Sequence, residues 1–192
     1  MTVLPITTVG DPVLRERARE VGVDELASDE VQRFIDDLIE TKRAAHGAGL
    51  AANQVGSLRR IAVVEVEPDN PRYPYKPPYP LTVLVNPELE PVGDETFEVN
   101  EGCLSVPDLR GELPRFARVR ARFVDREGSA RDLVVSGLTA GTFLHEVDHL
   151  NGVLFLDRVD DQATLATWAQ FDRFQREEFE RRARAIVEQF GS

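Results

Sequence analysis

The chain has 192 residues and a formal net charge of −11, and this length fits one domain that buries a core without disulfide bonds. Hydrophobic residues make up 42% of the sequence and charged residues 30%, as is typical of globular proteins. The acidic charge disfavours direct nucleic-acid binding, which requires clustered Lys and Arg, and it gives no attraction to an anionic membrane surface.

The only cysteine is Cys103, which excludes an internal disulfide and fits a reducing compartment. Residues 1–6 lack the charged stretch and the long apolar run of a secretory signal peptide. No apolar stretch approaches the ~20 residues that a membrane-spanning helix needs. We therefore expect a cytoplasmic protein that has no membrane partner.

The N-terminal part is predicted to form two helices. A short one is expected over residues 12–18, with Pro12 near its first turn. A longer one is expected from an N-cap at Ser28 to about His46, because its apolar residues recur three and four positions apart. His46 itself is expected to face water at the helix end.

Strands are predicted in the middle of the chain. Runs of β-branched and apolar residues indicate strands at 60–66, 81–85, 118–124 and 131–135, with Asn86-Pro87 ending the second and a short extended piece at 97–99. Residues 68–80, which we call the Pro-rich segment, contain six prolines and three tyrosines. So many missing N–H groups predict a surface loop. We interpret it as a spacer, with an active-site rim as the alternative.

The C-terminal part is predicted to be helical at about 138–151 and again from about 161 to 189. The last helix carries many charges, so we expect it to pack on the outside with a solvated face. No boundary divides residues 1–192, which predicts a single catalytic domain. The expected fold class is α+β, with antiparallel strands packed around a central helix, N-terminal helices and a C-terminal helix at 161–190.

The clearest motif is His145-Glu146-Val147-Asp148-His149. Residues four apart share one face of a helix, so His145 and His149 can reach the same metal ion. Glu146 lies about 100° further around the helix and can take a proton from an activated water, which suits hydrolysis. The alternative is a pair of ordinary helix histidines.

A hydrolytic metal site needs a third protein ligand and an open position. The zinc peptidases with an extended H-E-x-x-H motif would place a histidine at the position of Phe155, and the acidic residues that follow, from Asp157 to Asp161, are too near to act as a thermolysin-type ligand. Cys103 is the better candidate because a thiolate binds zinc or iron strongly. Taken alone, a lone cysteine is more often an inert buried residue.

Three segments together resemble the peptide deformylase family. Residues 47–54 (GAGLAANQ) resemble its G-x-G-L-A-A-x-Q segment, residues 101–105 (EGCLS) its E-G-C-L-S segment, and residues 145–149 (HEVDH) its H-E-x-D-H segment. The opening residues 10–15 are also similar, and the resemblance extends over about residues 3–160.

The resemblance implies a hydrolase that removes the N-terminal formyl group from formyl-methionyl nascent polypeptides and releases formate. It implies that Glu146 moves the proton, and that the Gln54 side chain and the Leu104 backbone N–H stabilise the oxyanion. It implies one divalent ion per chain, usually Fe2+, with Zn2+ or another ion acceptable. The implied ligands are Cys103, His145 and His149.

The resemblance also implies a binding site for the peptide, with the backbone of Gly49 free to pair with an extended chain. Its methionine pocket would be lined or bordered by Ala48, Val99, Leu138, Gly141 and Thr142, with Arg110 near the mouth. Gly141 and Thr142 are smaller than in many members, and Leu144 replaces a common Gln. The implied partners are the formyl-methionyl peptide and, transiently, the ribosome.

Two other functions compete with this interpretation. A peptidase acting on internal peptide bonds would share the helix motif, but it would leave Cys103 without a role. A metal-binding or ribosome-associated module without activity would have no need of Glu146 and Gln54, both of which are present.

Overall fold

The structure, a computed structural model that describes residues 1–192, contains two antiparallel sheets. Five strands form the larger sheet in the order β1-β2-β3-β6-β7, and β4 and β5 form a separate hairpin. The strands are β1 Gly49–Ala51, β2 Ile61–Val66, β3 Tyr79–Pro91, β4 Thr96–Cys103, β5 Val106–Phe116, β6 Arg118–Val124 and β7 Ala130–Ser136.

One buried helix lies against both sheets, and it is the helix that carries the HEVDH motif. Twelve of its fourteen residues are buried, which makes it the centre of the fold and confirms the expected α+β class. The helices are α1 Val23–Leu26, α2 Asp29–Ala44, α3 Gly137–Leu150, α4 Trp168–Phe174 and α5 Arg176–Phe190. None of them combines the length and apolar character needed to cross a bilayer.

The N-terminal prediction is largely confirmed. The Ser28 hydroxyl caps α2 by accepting from the Val31 N–H at 3.3 Å, and the apolar face of α2 packs on the larger sheet, where Ile61 and Val63 are buried. The helix ends at Ala44, and His46 is exposed with a φ of +52°. The short helix expected at 12–18 is only a 3-10 turn, Pro12–Arg15.

The middle strands differ from the prediction at two places. β3 does not end at Asn86-Pro87, because a bulge between Val85 and Glu88, with Asn86 at a φ of +52°, carries the strand past the proline. The hairpin β4–β5 is also much longer than the extended piece expected at 97–99. Its two strands pair only with each other, so β5 tolerates prolines that a central strand would not.

The single helix expected from 161 to 189 is wrong. This part contains a 3-10 turn, Gln162–Thr164, followed by α4 and α5, which meet at Gln175. Thr167 starts α4 by accepting from the Gln170 N–H at 3.4 Å. The charged face of α5 is exposed as expected, but its apolar face joins the core, where Phe179, Ala183 and Ile186 are buried with Val99 and Leu138.

Replacing Phe179 with Ala tests this contribution of α5 to the core. Phe179 is 2% exposed and packs edge-on against Tyr75 and Phe171, with centroid separations of 4.8 and 5.6 Å. We expect Phe179→Ala to lower the free energy of unfolding by about 3–5 kcal/mol, measured by urea denaturation. The matched control Phe174→Ala, at a side chain 67% exposed, should change it by less than about 0.5 kcal/mol. Equal losses of unfolding free energy in the two variants would contradict the buried position of Phe179.

Candidate metal centre

Cys103, His145 and His149 form one buried cluster of potential ligands. One ligand atom from each lies within 4.8 Å of the others, and Cys103 Sγ is 3.1 Å from His149 Nε2. The histidines lie one turn apart on α3, and Cys103 ends β4. A thiolate with two imidazoles is a donor set that binds zinc or ferrous iron well, so these residues fit a divalent ion.

The surroundings of Cys103 favour a thiolate. Its sulfur accepts from the Ser105 N–H at 3.3 Å and from the Gln54 side-chain amide at 3.5 Å. Burial raises the pKa of the Cys103 thiol, but the imidazoles of His149 and His145 outweigh this effect and hold the pKa well below its usual value. The thiolate is the form that binds metal ions.

His145 is held in one orientation by a chain of buried charges. Its Nδ1 lies 2.8 Å from Glu101 Oε2, which leaves Nε2 as the nitrogen available to an ion. Arg115 donates to both carboxylate oxygens of Glu101, at 2.8 and 2.9 Å, and to Asp148 at 2.6 Å. Burial raises the pKa of Glu101, but Arg115 outweighs it and keeps this carboxyl ionised.

Glu146 lies against Gly49 at the edge of the cluster. Its carboxylate is buried, and its Oε2 has no hydrogen-bond partner in the chain, which is a costly state unless a ligand or water completes it. A Cβ atom on Gly49 would clash with this carboxylate, so the close approach requires glycine. Burial raises the pKa of Glu146 to about 7.

Two further hydrogen-bond donors lie beside the cluster. The Gln54 side-chain oxygen accepts from the Ala51 N–H at 2.9 Å, which turns its amide nitrogen toward Cys103 and Ser105. Leu104 lies in the turn after β4, and its N–H makes no hydrogen bond to a backbone carbonyl. Both residues line the cavity that opens over the cluster.

This cavity is open to solvent and encloses about 620 Å³ of empty space, a figure that includes its mouth. Its lining includes Cys103 and His145 of the cluster and all of the predicted substrate-binding positions. The latter are Ala48, Gly49, Val99, Arg110, Leu138, Gly141 and Thr142.

Arg110 does not lie near the cavity mouth as expected. It is 1% exposed, and its guanidinium lies over the rings of Trp168 and Phe171, at 4.2 and 4.3 Å from their centroids. It also donates to Asn100 Oδ1 at 2.6 Å. Because α4 covers it, Arg110 is part of the inner wall. Leu144 packs against the core of the larger sheet and does not line the cavity.

The interpretation of the Pro-rich segment as a spacer is wrong. Tyr73, Tyr75 and Lys76 of this segment line the cavity, and Tyr75 is anchored edge-on against Phe179. The alternation of tyrosine with proline is the one feature of the sequence that indicates a packed segment, because aromatic side chains on a loop commonly pack against the rest of the protein.

Comparison with known proteins agrees with this geometry. Residues 3–164 match the family model described as polypeptide deformylase. Peptide deformylase 1 of Nitrosomonas europaea is 41% identical over 157 residues, covering 82% of this chain and 88% of that protein. Peptide deformylase 1 of Corynebacterium efficiens is 44% identical over 160 residues, covering 83% and 89%.

Solved structures show the same relationship. The Acinetobacter baumannii class I type b peptide deformylase with bound Met-Ala-Ser superposes with a TM-score of 0.79 at 37% identity, covering 82% of this chain and 99% of that one. The Synechococcus elongatus peptide deformylase in complex with actinonin gives a TM-score of 0.74 at 30% identity, covering 100% and 87%. The chain belongs to the peptide deformylase family.

Proposed function

We propose that this protein removes the N-terminal formyl group from formyl-methionyl nascent polypeptides in a metal-dependent hydrolysis that releases formate. The observation that carries the proposal is the unpaired, buried Glu146 carboxylate beside the cluster of Cys103, His145 and His149, at the base of an open cavity. Such a constellation suits hydrolysis of a carbonyl compound.

Cys103 Sγ, His145 Nε2 and His149 Nε2 would hold one divalent ion per chain. Ferrous iron is the ion we propose, and Zn2+ or another divalent ion is chemically acceptable to the same donors. A bound ion supplies a Lewis acid that activates water and polarises a carbonyl. Glu101 supports the site by fixing the orientation of His145.

Glu146 would accept the proton of the attacking water and deliver it to the leaving amine. Its pKa of about 7 lets the carboxyl group take up and release a proton near neutral pH. The Gln54 amide nitrogen and the Leu104 N–H are the donors available to the developing oxyanion, and each such donor is worth about 10²–10³ in rate.

The substrate peptide would bind along Gly49. β1 pairs with β2 on one side only, so its other edge can accept an extended peptide as an added strand. The first side chain would enter the pocket formed by Ala48, Val99, Leu138, Gly141 and Thr142. The structure of the relative with bound Met-Ala-Ser supports binding of a peptide of this kind.

The setting of the reaction follows from its substrate. Nascent polypeptides are made in the cytoplasm, so we place the protein there and propose that it associates transiently with the ribosome. The net charge of −11 disfavours direct binding of this protein to nucleic acid. We also propose that residues 1–192 act as one catalytic domain, since α5 packs on both α3 and β4.

An internal peptidase has no support from the structure. Phe155, at the position where the extended peptidase motif has its third histidine, is 1% exposed and packs in the same core cluster as Cys103. Removal of the formyl group from nascent polypeptides is therefore the function that the site supports best.

Substitution of Glu146 by Gln tests the proton-transfer role. Gln keeps the shape of the side chain but cannot accept the proton, so we expect kcat to fall by about 10²–10⁴, with bound metal unchanged. Formate release from formyl-Met-Ala-Ser measures the rate. Mass spectrometry of the products distinguishes loss of the formyl group from cleavage of an internal bond. The control Glu177→Gln, on the exposed face of α5, should retain full activity, and an active Glu146→Gln enzyme would refute the assignment.

Removal of one histidine tests the ligand set. After anaerobic loading with ferrous iron and gel filtration, we expect the wild-type protein to retain about one ion per chain and His149→Ala to lose most of it. His46→Ala is the matched control, because His46 is the one histidine outside the cluster and is exposed. Metal analysis of the three proteins decides the point. Equal retention in all three would show that the ion binds elsewhere.

A further inference from the structure

One wall of the proposed side-chain pocket is formed by the backbone of Gly141. This residue lies within α3 and lines the cavity, but it contributes no side chain. A Cβ atom on Gly141 would meet the ring of Phe97 first, with Cζ at 3.8 Å, and then Arg115 Cγ at 4.0 Å. Both are van der Waals contact distances. The Phe97 ring therefore packs against α3 at the place where a longer side chain at position 141 would lie.

The hairpin fixes Phe97 in this position. Phe97 of β4 and Arg115 of β5 are directly paired in the register of the hairpin, so their side chains lie on the same face. Arg115 is tied to α3 by its hydrogen bond to Asp148 at 2.6 Å. Because the two side chains are neighbours, the ion pair that holds the hairpin against α3 also keeps Phe97 against Gly141.

Helix α5 supports the Phe97 ring as well. The centroids of the Phe97 and Phe190 rings lie 6.3 Å apart, with an angle of 35° between their planes. The Phe190 carbonyl accepts from the hydroxyl of Ser136, the residue before α3, at 2.9 Å. Phe190 lies outside residues 3–164, the part of the chain that matches the family model. Phe97 thus contacts both α3 and α5, which restricts rotation of its ring away from the pocket.

The size of the pocket depends most on this ring. The apolar side chains around it, Val99 and Leu138, are buried in the core cluster against which Phe97 packs, and both line the cavity beside Phe97. Phe97 is the largest of these side chains, so it takes up more of the pocket than any other wall. Apolar walls discriminate between substrates by size, since one methylene group more or fewer changes kcat/KM by about 10–200-fold.

We propose that Phe97 is a specificity-determining residue that sets the upper size limit of the pocket. It admits a first side chain that is unbranched, aliphatic and about the size of methionine, and it excludes aromatic rings from the space that its own ring fills. The inference rests on the proposed function and refines its substrate class.

The test compares formyl-Met-Ala-Ser with formyl-Phe-Ala-Ser, which differ only in the first side chain. The metal-loaded wild-type enzyme should show the higher kcat/KM with the methionine peptide. Phe97→Ala removes the ring, so kcat/KM for the phenylalanine peptide relative to the methionine peptide should rise about tenfold or more. A purely structural role of Phe97 would lower both rates together and leave this ratio unchanged, which would overturn the inference.

A second substitution tests whether the filled space itself is responsible. Gly141→Leu in the Phe97→Ala background places a new side chain where the ring was, so the ratio should return toward the wild-type value. A ratio that stays high in this double variant would contradict the proposed size limit. Phe116→Ala is the matched control, because Phe116 belongs to the same hairpin but does not line the cavity. Its ratio should equal that of the wild type.

The melting curve of each variant shows whether it folds. Should Phe97→Ala fail to fold, Phe97→Leu replaces it, because leucine is apolar but smaller than phenylalanine and should raise the ratio in the same direction. If the metal-loaded wild-type enzyme releases no formate from either peptide, the proposed function fails and the inference falls with it. If it is active and the ratio is the same in wild type and variant, the inference alone is wrong.

Discussion

The metal centre depends on the ion pairs of Arg115, because its ligands come from two separate parts of the fold. Cys103 ends the hairpin strand β4, whereas His145 and His149 belong to α3. Arg115 joins these parts by pairing with Glu101 of the hairpin and Asp148 of the helix, and it is 3% exposed. Removing one member of a buried ion pair typically costs about 3–5 kcal/mol. The network also explains why the helix motif contains Asp148, which faces Arg115 and not the cavity.

Local sequence patterns were sufficient for the elements whose signal is periodic or short-range. The three- and four-residue spacing of apolar side chains and the Ser28 cap predicted α2, and the apolar run at 60–66 predicted β2. The four-residue spacing of His145 and His149 placed both on one face of α3, next to a glutamate. Three short motifs in the right order then indicated the family, and the structure brings residues from these motifs to the same cavity.

The elements that the sequence did not predict depend on tertiary contacts, which leave no local pattern in the sequence. β5 contains Pro107 and Pro114, which weaken every strand signal, and it forms because β4 pairs with it at Val106 and over residues 110–116. The bulge that carries β3 past Pro87 is likewise set by pairing with β6. The cavity wall is the clearest case, since the Pro-rich segment joins it through long-range contacts such as that of Tyr75 with Phe179, about a hundred residues further along the chain. Arg110 becomes an inner residue for the same reason, because α4 covers it.

The central claim is that hydrolysis requires an ion held by Cys103, His145 and His149 together with the carboxylate of Glu146. The most direct measurement is an anaerobic titration of the metal-free protein with ferrous iron, in which bound metal and formate release from formyl-Met-Ala-Ser are determined at each step. We predict that the rate rises in proportion to bound iron and levels off near one ion per chain, and that Cys103→Ser neither binds the ion tightly nor gains activity. Full activity in the metal-free protein, or in Cys103→Ser, would contradict the account.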